Sequence, residues 1–262
     1  MRLADKVAIV TGGGEGIGRG IVRCLAEEGA DVAVIDINAA TANKVVGEVE
    51  AMGRRGLAIV ADATSKEAIA RAVENVVSTF GKIDILVNNV GGTDADVSVV
   101  AQDADTWDGF YRLTLKAHVI ACQAVMPHLV RQQSGKIVNI SSEAARIPAP
   151  ALMAYAAMKS GVVSMTQSLA RQAAADNINV NCICPGVIWT TMWERLATSL
   201  VESSPQFKGM SPREFFEKNV VASRPFAREE TPEDIGRAVV FFASDDARNI
   251  TGQALNVNGG NR

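Results

Sequence analysis

The sequence predicts an α/β fold in which a doubly wound parallel sheet of about seven strands forms a single domain over residues 1–262. Three observations predict this fold. Short β-branched runs alternate with amphipathic helical patterns along the whole chain. The runs are apolar at nearly every position, which is typical of strands covered on both faces of a parallel sheet. No linker, internal repeat or low-complexity tract divides the chain.

The predicted strands lie at 7–10, 32–35, 57–60, 83–87, 136–140, 178–182 and 254–257. Between them, the spacing of apolar residues predicts helices at about 17–28, 39–52, 66–80, 104–132, 152–175 and 232–243. Gly29 and Gly53 follow two helical patterns as C-terminal stops, and Gly81 opens the turn before the fourth strand. The segments 88–103 and 183–231 follow strand ends and do not show the regular alternation of strands and helices. We therefore expect them to form walls of a ligand site.

Charge and apolar content exclude several classes of protein. The chain has 26 basic and 29 acidic side chains and no basic run longer than Arg54-Arg55, so it lacks the footprint of a nucleic-acid-binding protein. Its 48% of apolar residues exclude a disordered chain. No uninterrupted apolar stretch approaches the roughly 18 residues of a membrane span. We therefore expect a cytoplasmic protein with neither nucleic acid nor a membrane as partner.

The cysteines and histidines give no sign of a metal site or a hydrolase. Four cysteines are too few for a disulfide scaffold at this length. Cys182 and Cys184 lack the spacing of a zinc knuckle, so we interpret them as small residues of a buried strand. No Gly-x-Ser-x-Gly elbow is present, which excludes one class of serine hydrolase. We expect His118 and His128 to be structural.

A glycine-rich turn follows the first predicted strand directly. It matches T-G-x-x-x-G-x-G through Thr11, Gly12, Gly16 and Gly18, whereas the generic G-x-G-x-x-G pattern is absent from it. Glycines there allow backbone N–H groups to approach a pyrophosphate, whose negative charge is favoured at the N-terminus of the following helix. The turn therefore indicates a dinucleotide site.

Acidic residues end the second and third predicted strands. Asp36, which lies 18 residues beyond Gly18, is placed to accept both ribose hydroxyls of an adenosine, although a solvent-facing Asp is the alternative. A 2′-phosphate would face the charges of Asp36 and Glu15, with no Arg or Lys at position 37, which favours NAD over NADP. Asp62 is similarly placed for the adenine ring.

Tyr155 and Lys159 lie four residues apart on a predicted helix, so they share one helix face. A free phenol has a pKa of about 10, and an adjacent fixed positive charge favours the phenolate. Such a pair can transfer a proton near neutral pH. Ser142 ends a predicted strand 13 residues before Tyr155, where its hydroxyl could hold the oxygen that is oxidised or reduced.

These motifs together resemble the short-chain dehydrogenase/reductase family, and the resemblance covers essentially the whole chain. The matching segments are Thr11-Gly-x-x-x-Gly-Ile-Gly18, Asn88-Asn-Val-Gly91, Ser142, Tyr155-x-x-x-Lys159, Pro185-Gly186 and Ile250-Thr-Gly-Gln253. The resemblance implies a Rossmann-type sheet and an oxidoreductase whose catalytic residues are Ser142, Tyr155 and Lys159, with Lys159 also binding the nicotinamide ribose. Ser141 is an adjacent hydroxyl that the 13-residue spacing disfavours.

The same resemblance implies roles for cofactor-binding residues. Gly12, Gly16 and Ile17 would line the pyrophosphate. The backbone of Ile188 would hold the nicotinamide carboxamide, and Thr190 would contact the cofactor. The residues expected to face the adenosine half are Asp36, Asp62, Ala63 and Asn89.

One position departs from the family pattern. The family usually has an Asn where this chain has Thr114, in the stretch Trp107-Asp-Gly-Phe-Tyr-Arg-Leu-Thr-Leu115. In the family that Asn shapes the helix and holds a water that joins the lysine to a proton relay. We expect retained activity here, because Ser142, Tyr155 and Lys159 are intact.

The predicted activity is reversible hydride transfer between a secondary alcohol and a ketone, with NAD as cofactor. Apolar side chains cluster at about 189–225, where the resemblance implies a substrate lid. They favour an apolar or cyclic alcohol over a sugar, with core packing as the alternative role for the aromatic residues among them. One alternative is a 3-oxoacyl-carrier-protein reductase, which Asp36 disfavours because such enzymes generally prefer NADPH. The other is a non-catalytic NAD-binding homologue. The resemblance implies a homotetramer or dimer that pairs through the two long helices.

Overall fold

A seven-stranded parallel sheet forms the centre of the molecule. The computed structural model describes residues 1–92 and 103–261. The strands run in the spatial order β3-β2-β1-β4-β5-β6-β7, and each neighbouring pair is parallel. Their bounds are Val7–Thr11 (β1), Asp31–Asp36 (β2), Gly56–Val60 (β3), Ile85–Asn88 (β4), Gly135–Ile140 (β5), Ile178–Pro185 (β6) and Ala254–Val257 (β7). The predicted fold class is confirmed.

Helices cover both faces of this sheet, and those of the predicted set begin and end within two residues of their expected bounds. A π-helical segment, Tyr111–Lys116, joins α4 to α5 within the predicted helix 104–132, and nothing in the sequence predicted it. Among the described residues the helices are Gly16–Glu27 (α1), Ala39–Ala51 (α2), Lys66–Phe80 (α3), Ala104–Phe110 (α4), Ala117–Gln132 (α5), Met153–Ala173 (α6), Thr191–Ser203 (α7), Pro212–Phe215 (α8) and Pro232–Ala243 (α9).

Alternation along the strands divides the core into two layers. On β1, Ala8 and Val10 face the layer built with α1, α2 and α9, whereas Val7 and Ile9 face the layer built with α3, α5 and α6. Successive strand residues point to opposite faces, so a strand covered on both sides must be apolar throughout. This explains the nearly continuous apolar runs of the buried strands β1, β2 and β4, whereas the edge strands β3 and β7 are partly exposed.

The long helical segment Ala104–Gln132 is apolar and long enough to cross a membrane on length and composition alone. Many of its apolar residues are buried within the protein, whereas Tyr111 and Leu113 are exposed. Ile120, Val125 and Leu129 are buried in the core layer that contains α3. Packing on the sheet accounts for the composition of this helix.

Close contact between α1 and α9 depends on two glycines. A side-chain carbon on Gly20 would collide with Pro232, at the start of α9. A side-chain carbon on Gly236 would lie 2.6 Å from Cys24 Sγ and 2.8 Å from Gly20 O. These distances leave no room for a methyl group, so the two helix backbones approach each other directly. Because α1 begins at the glycine-rich turn, this contact also fixes the helix that faces the predicted pyrophosphate.

We expect Gly236→Ala to destabilise the protein by about 1–3 kcal/mol, since overpacking against backbone cannot be relieved by a rotamer change. Gly47→Ala is the matched control, because Gly47 is also helical and nothing lies within 4 Å of its added carbon. That control is expected to be neutral or slightly stabilising, as Ala is the better helix former. Urea denaturation of both variants measures the difference, and equal stabilities would contradict a tight α1–α9 contact.

Candidate active site

Two adjoining cavities lie at the carboxyl edge of the sheet. The larger, which we call the long cleft, has a volume of about 550 Å³ and runs from the β2 end past the glycine-rich turn to Lys159. The smaller, the inner cavity, has a volume of about 300 Å³ and lies between β5, β6 and α7. Predicted residues that line the long cleft are Gly12, Gly16, Ile17, Asp36, Asp62, Ala63, Asn89, Tyr155, Lys159 and Thr190. Ser142 and Ile188 line the inner cavity.

The glycine-rich turn has the shape of a cradle that side chains would fill. Gly12 and Gly16 have φ angles of 61° and 52°, in the left-handed region that favours glycine. A side-chain carbon on Gly18 would collide with Gly12 O. Glu15 precedes α1, and its side chain makes no capping hydrogen bond. The first N–H groups of that helix therefore face the cleft without a side-chain cap from this residue. The residues present therefore fit a pyrophosphate.

Asp36 holds the turn as well as lining the long cleft. Its Oδ2 accepts a hydrogen bond of 2.9 Å from Gly14 N, and its Oδ1 accepts one of 3.0 Å from Asn38 N. Glu15 lines the same cleft and adds a second acidic side chain. At Asp62, Oδ1 accepts hydrogen bonds from Thr64 N and Thr64 Oγ1, both 2.8 Å long.

Asn89 lines the long cleft, and its side-chain amide donates hydrogen bonds to the glycine-rich turn. Asn89 Nδ2 donates to Gly12 O at 2.9 Å and to Thr11 O at 3.2 Å, and Asn89 N donates to Thr11 Oγ1 at 3.1 Å. The side chain thereby joins the end of β4 to the end of β1. Sequence analysis assigned Asn89 to the adenosine half, and the observed contacts give it a further task in shaping the turn. The predicted wall segment 88–103 falls partly outside the described residues, at 93–102.

Ser142, Tyr155 and Lys159 converge where the two cavities meet. Ser142 follows β5, and its Oγ accepts a 3.2 Å hydrogen bond from Ala144 N. Tyr155 and Lys159 lie one turn apart on α6, with Lys159 Nζ 5.6 Å from the centroid of the Tyr155 ring. Lys159 Nζ donates to Ile140 O at 2.8 Å. Ser141 Oγ donates to Lys159 O at 2.8 Å, so the proton of this neighbouring hydroxyl is used in a hydrogen bond with the α6 backbone.

Burial controls the ionisation of this pair. It raises the pKa of the Tyr155 phenol to about 12, and hydrogen bonding with Ser142 opposes that rise only in part. It also lowers the pKa of Lys159 to about 8. In the unliganded protein, loss of hydration therefore keeps the pKa of Tyr155 above that of a free phenol, and the lowering of this pKa by Lys159 stays a prediction.

Thr114 and His118 occupy a buried site behind the lysine. Thr114 lies in the π-helical segment, and its buried Oγ1 has no hydrogen-bond partner among residues 1–92 and 103–261. His118 Nε2 lies 2.9 Å from Val90 O, whereas its buried Nδ1 has no partner within the same described residues. Burial and the charge of Lys159 lower the pKa of His118 to about 3, so the ring is neutral. A side-chain carbon on Gly91 would lie 2.9 Å from Lys159 Nζ and 3.8 Å from Thr114 Cγ2, so only a glycine keeps this space open.

Part of the predicted lid packs upon itself. Phe216 is fully buried and lies 5.1 Å from Trp189 and 5.2 Å from Trp193 between ring centroids. Phe207 and Phe215 form a second pair at 4.7 Å. Of the apolar residues that suggested a lid, those that line the inner cavity are Met192, Trp193 and Leu196. The aromatic residues of these pairs therefore mainly pack against one another and form a small core beside α7.

A polar group at one end of the inner cavity was missed by sequence reasoning. Arg224 Nη1 donates to Glu143 Oε2 at 2.9 Å and lies 2.8 Å from Glu143 Oε1. Asn258 Nδ2 and Asn261 Nδ2 donate to Glu143 Oε2 at 3.2 and 3.0 Å. Glu230, whose Oε2 accepts a 3.0 Å hydrogen bond from Gly186 N, lies close by, and burial raises its pKa to about 7. These residues come from distant parts of the chain, and none of them belongs to a motif.

Comparison with known proteins decides the family. The sequence model of the short chain dehydrogenases matches residues 6–200. The chain is a short-chain dehydrogenase/reductase. It is 34% identical over 260 residues to the 3-oxoacyl-[acyl-carrier-protein] reductase FabG of Thermotoga maritima, with 99% of each chain covered. It is 36% identical over 260 residues to the (2S)-[(R)-hydroxy(phenyl)methyl]succinyl-CoA dehydrogenase subunit BbsD of Thauera aromatica, with 99% of this chain and 98% of that protein covered.

Solved structures of short-chain dehydrogenases/reductases share the whole fold. An NAD⁺-bound xylitol dehydrogenase superposes with a TM-score of 0.92 at 31% identity, over 99% of this chain and 100% of the other. Carveol dehydrogenase from Mycobacterium avium, in complex with NAD, gives a TM-score of 0.91 at 29% identity, over 99% and 98%. The family and these two NAD complexes support a nicotinamide cofactor, which agrees with the cradle and the long cleft described above.

We expect Tyr155 of the unliganded protein to form no phenolate below about pH 10, because burial raises its pKa. The chain has two tyrosines, Tyr111 and Tyr155, so the ultraviolet absorbance difference between wild type and Tyr155→Phe reports the Tyr155 phenolate alone. Added NAD⁺ is expected to move this step to lower pH, since a positive nicotinamide ring favours a nearby anion. A Tyr155 phenolate step near neutral pH without NAD⁺ would contradict the dominance of burial.

Proposed function

We propose that the protein catalyses NAD-dependent, reversible hydride transfer between an apolar or cyclic secondary alcohol and the corresponding ketone. One observation carries the proposal: Tyr155 lines both the long cleft and the inner cavity, so one phenol faces both the dinucleotide site and the apolar space beside it. Ser142 lines the inner cavity and Lys159 the long cleft. An alcohol in the inner cavity would thus meet a proton acceptor at the boundary with the cofactor site.

Ser142, Tyr155 and Lys159 would each have a different role in the reaction. Ser142 Oγ would donate a hydrogen bond to the substrate oxygen and fix its position beside the phenol. Tyr155 Oη would accept the hydroxyl proton during oxidation and return it during reduction, as a general base and acid. Lys159, held by Ile140 O, would keep a positive charge beside the phenolate. The cofactor, when bound, supplies the hydride acceptor and a positive ring.

The charge at the β2 end supports NAD over NADP. Asp36 and Glu15 both line the long cleft, and a 2′-phosphate there would be repelled by both carboxylates. Gly12, Gly16 and Ile17 would hold the pyrophosphate, with Ile188 and Thr190 towards the nicotinamide. Thr190 Cγ2 lies 3.4 Å from the point where a side chain on Gly16 would begin, so Thr190 is placed across the cleft from the turn.

A second candidate is a 3-oxoacyl-carrier-protein reductase. The FabG reductases of Thermotoga maritima and Staphylococcus aureus are 34% and 37% identical to this chain over nearly its whole length. The same Ser142, Tyr155 and Lys159 geometry would serve that reaction. Asp36 is the feature that opposes it, since NADPH would be the expected reductant. Reduction of an acetoacetyl thioester with NADPH, faster than oxidation of any secondary alcohol with NAD, would favour this candidate.

A candidate of another class is a non-catalytic NAD-binding homologue whose proton relay is broken at Thr114. The unpartnered Oγ1 of Thr114 is the observation that keeps it open. The enzyme proposal is favoured because Ser142, Tyr155 and Lys159 are all present and line the two adjoining cavities. We further propose that the protein is cytoplasmic, that it assembles as a homotetramer or dimer through its long helices, and that residues 189–225 act as its substrate lid.

We expect purified protein to reduce NAD⁺ with members of a panel of aliphatic, aromatic and cyclic secondary alcohols. Tyr155→Phe is expected to lower kcat at least about 1,000-fold, because general acid–base catalysis typically contributes factors of about 100 to 10,000. Absorbance of reduced nicotinamide measures turnover, and calorimetry measures NAD binding, which should change less than about threefold.

Turnover that survives in Tyr155→Phe would contradict the assigned role. In the same assay, Thr114→Asn separates a broken relay from an untested substrate. A rise in turnover of 100-fold or more would show that the relay is impaired at Thr114, whereas a modest change would show that the hydroxyl suffices.

We expect Asp36→Asn to raise the ratio of kcat/KM with NADP to that with NAD by about tenfold or more, because it removes a charge beside the 2′-phosphate. The Asn oxygen retains one of the two hydrogen bonds that Asp36 accepts. Thr64→Ala is a matched control, since it alters a neighbouring strand-end turn without changing charge. An unchanged ratio in Asp36→Asn would contradict the proposed basis of NAD preference.

A further inference from the structure

The inner cavity is apolar along most of its wall and polar at one end. The apolar wall includes Ile147, Leu152, Val187 and Leu196. At the polar end lie Glu143 and Arg224, whose side chains are 13% and 12% exposed. An ion pair this deeply placed is costly to build, because both charges lose hydration. The Glu143–Arg224 ion pair therefore indicates a role other than stabilising the fold.

Within the described residues, one of the three guanidinium nitrogens of Arg224 has a hydrogen-bond partner. Nη1 donates to Glu143 Oε2 at 2.9 Å and lies 2.8 Å from Oε1. Nε is buried and has no hydrogen-bond partner among those residues. Nη2 makes no hydrogen bond within the part of the chain that the structure describes. Nε–H and one Nη2–H project in parallel from the same edge of a guanidinium, which is the edge that binds a carboxylate with two hydrogen bonds.

The ion pair with Glu143 holds the Nε–Nη2 edge of Arg224 in place and leaves the N–H groups of that edge available as donors. Glu143 receives donors from Arg224, Asn258 and Asn261, so its negative charge is shared among three side chains. Its contacts fix Arg224 before any ligand arrives. The nearby Glu230 adds only part of a negative charge at neutral pH and little below about pH 6, since burial raises its pKa to about 7. The free edge of Arg224 therefore remains attractive to an anion.

The position of Arg224 sets the shape of a ligand that reaches both ends of the cavity. Glu143 follows Ser142 directly in the chain, and Ser142, Tyr155 and Arg224 all line the same 300 Å³ space. A molecule whose carbinol oxygen lies at Ser142 and Tyr155 thus meets Arg224 within its own length. The volume is at the lower end of ligand pockets, which limits that molecule to a compact ring or branched chain.

We propose that the substrate is a hydroxy acid: a compact, otherwise apolar secondary alcohol whose carboxylate binds the Nε–Nη2 edge of Arg224 while its carbinol lies at Ser142 and Tyr155. This inference deepens the proposed dehydrogenase function and rests on it for the position of the carbinol. It makes Arg224 a specificity-determining residue. A neutral acyl carbonyl at the same edge would need only one donor and would gain nothing from the guanidinium charge.

Binding of non-reacting ligands tests the inference without any turnover. Cyclohexanecarboxylate and cyclohexanecarboxamide have the same shape and differ in charge, and calorimetry with saturating NAD⁺ measures both. We expect the carboxylate to bind at least tenfold tighter to wild type. Glu143→Gln is expected to keep that preference, because Arg224 remains. The double variant Glu143→Gln with Arg224→Met is expected to lose it while binding the carboxamide within threefold of wild type, since no buried charge is left unpaired.

Arg224→Lys provides a second variant, because it keeps the charge but loses the paired donors. Its preference is expected to fall between those of wild type and the double variant. Equal binding of acid and amide by wild type, or a preference that survives in the double variant, would overturn the inference. Circular dichroism of each variant confirms that it is folded.

Kinetics link the inference to the reaction. We expect 3-hydroxycyclohexanecarboxylate to be oxidised with at least tenfold higher kcat/KM than its methyl ester, and the double variant to remove the difference. Brisk oxidation of neutral alcohols with no preference for the acid would overturn the hydroxy-acid inference and leave the dehydrogenase proposal standing. Arg224-dependent carboxylate binding without oxidation of any alcohol would overturn the dehydrogenase proposal and support the anion-binding role of Arg224.

Discussion

Parallel pairing of β1 with both β2 and β4 is the constraint on which the remainder of the site depends. Thr11 at the end of β1 pairs with Ile35 on one side and Asn88 on the other, so chain segments leave three neighbouring strands at one edge. The strand order reverses here, and the diverging loops leave a crevice between them. The glycine-rich turn occupies its floor, and Asn89 joins two of its sides. This register also sets the position of Asp36, because Asp36 is the last residue of β2.

Local patterns in the sequence were sufficient for most of the framework. Alternating strands and helices, the glycine-rich turn and the four-residue spacing of Tyr155 and Lys159 are all short-range features, and the structure places each as expected. Two features could not be predicted, because they depend on three-dimensional burial. The π-helical segment around Thr114 has no helix-breaking residue, and the raised pKa of Tyr155 reflects surroundings drawn from several elements. Arg224 lies 81 residues from Glu143, so no motif joins them.

The buried polar groups of this molecule fall into two kinds. One kind belongs to a structural network: Asn88 Nδ2 donates to Asn139 Oδ1, and Asn139 Nδ2 donates to Thr166 Oγ1, both at 2.9 Å. The other kind keeps an atom without a partner among the described residues, and Thr114, His118 and Arg224 do so close to the cavities. An unpartnered buried polar atom costs free energy unless water or a ligand satisfies it. Because Arg23, Arg54 and Asn88 also have such an atom, it is the position beside the cavities that connects the first three residues with ligand binding.

The double engagement of Asp36 bears on how such a protein changes over evolutionary time. Its carboxylate lines the β2 end of the long cleft and also accepts hydrogen bonds from the N–H groups of Gly14 and Asn38. A substitution at Asp36 therefore changes the charge at this end of the cleft and the hydrogen bonds of the turn in a single step. Evolution cannot alter one of these properties at this position without altering the other.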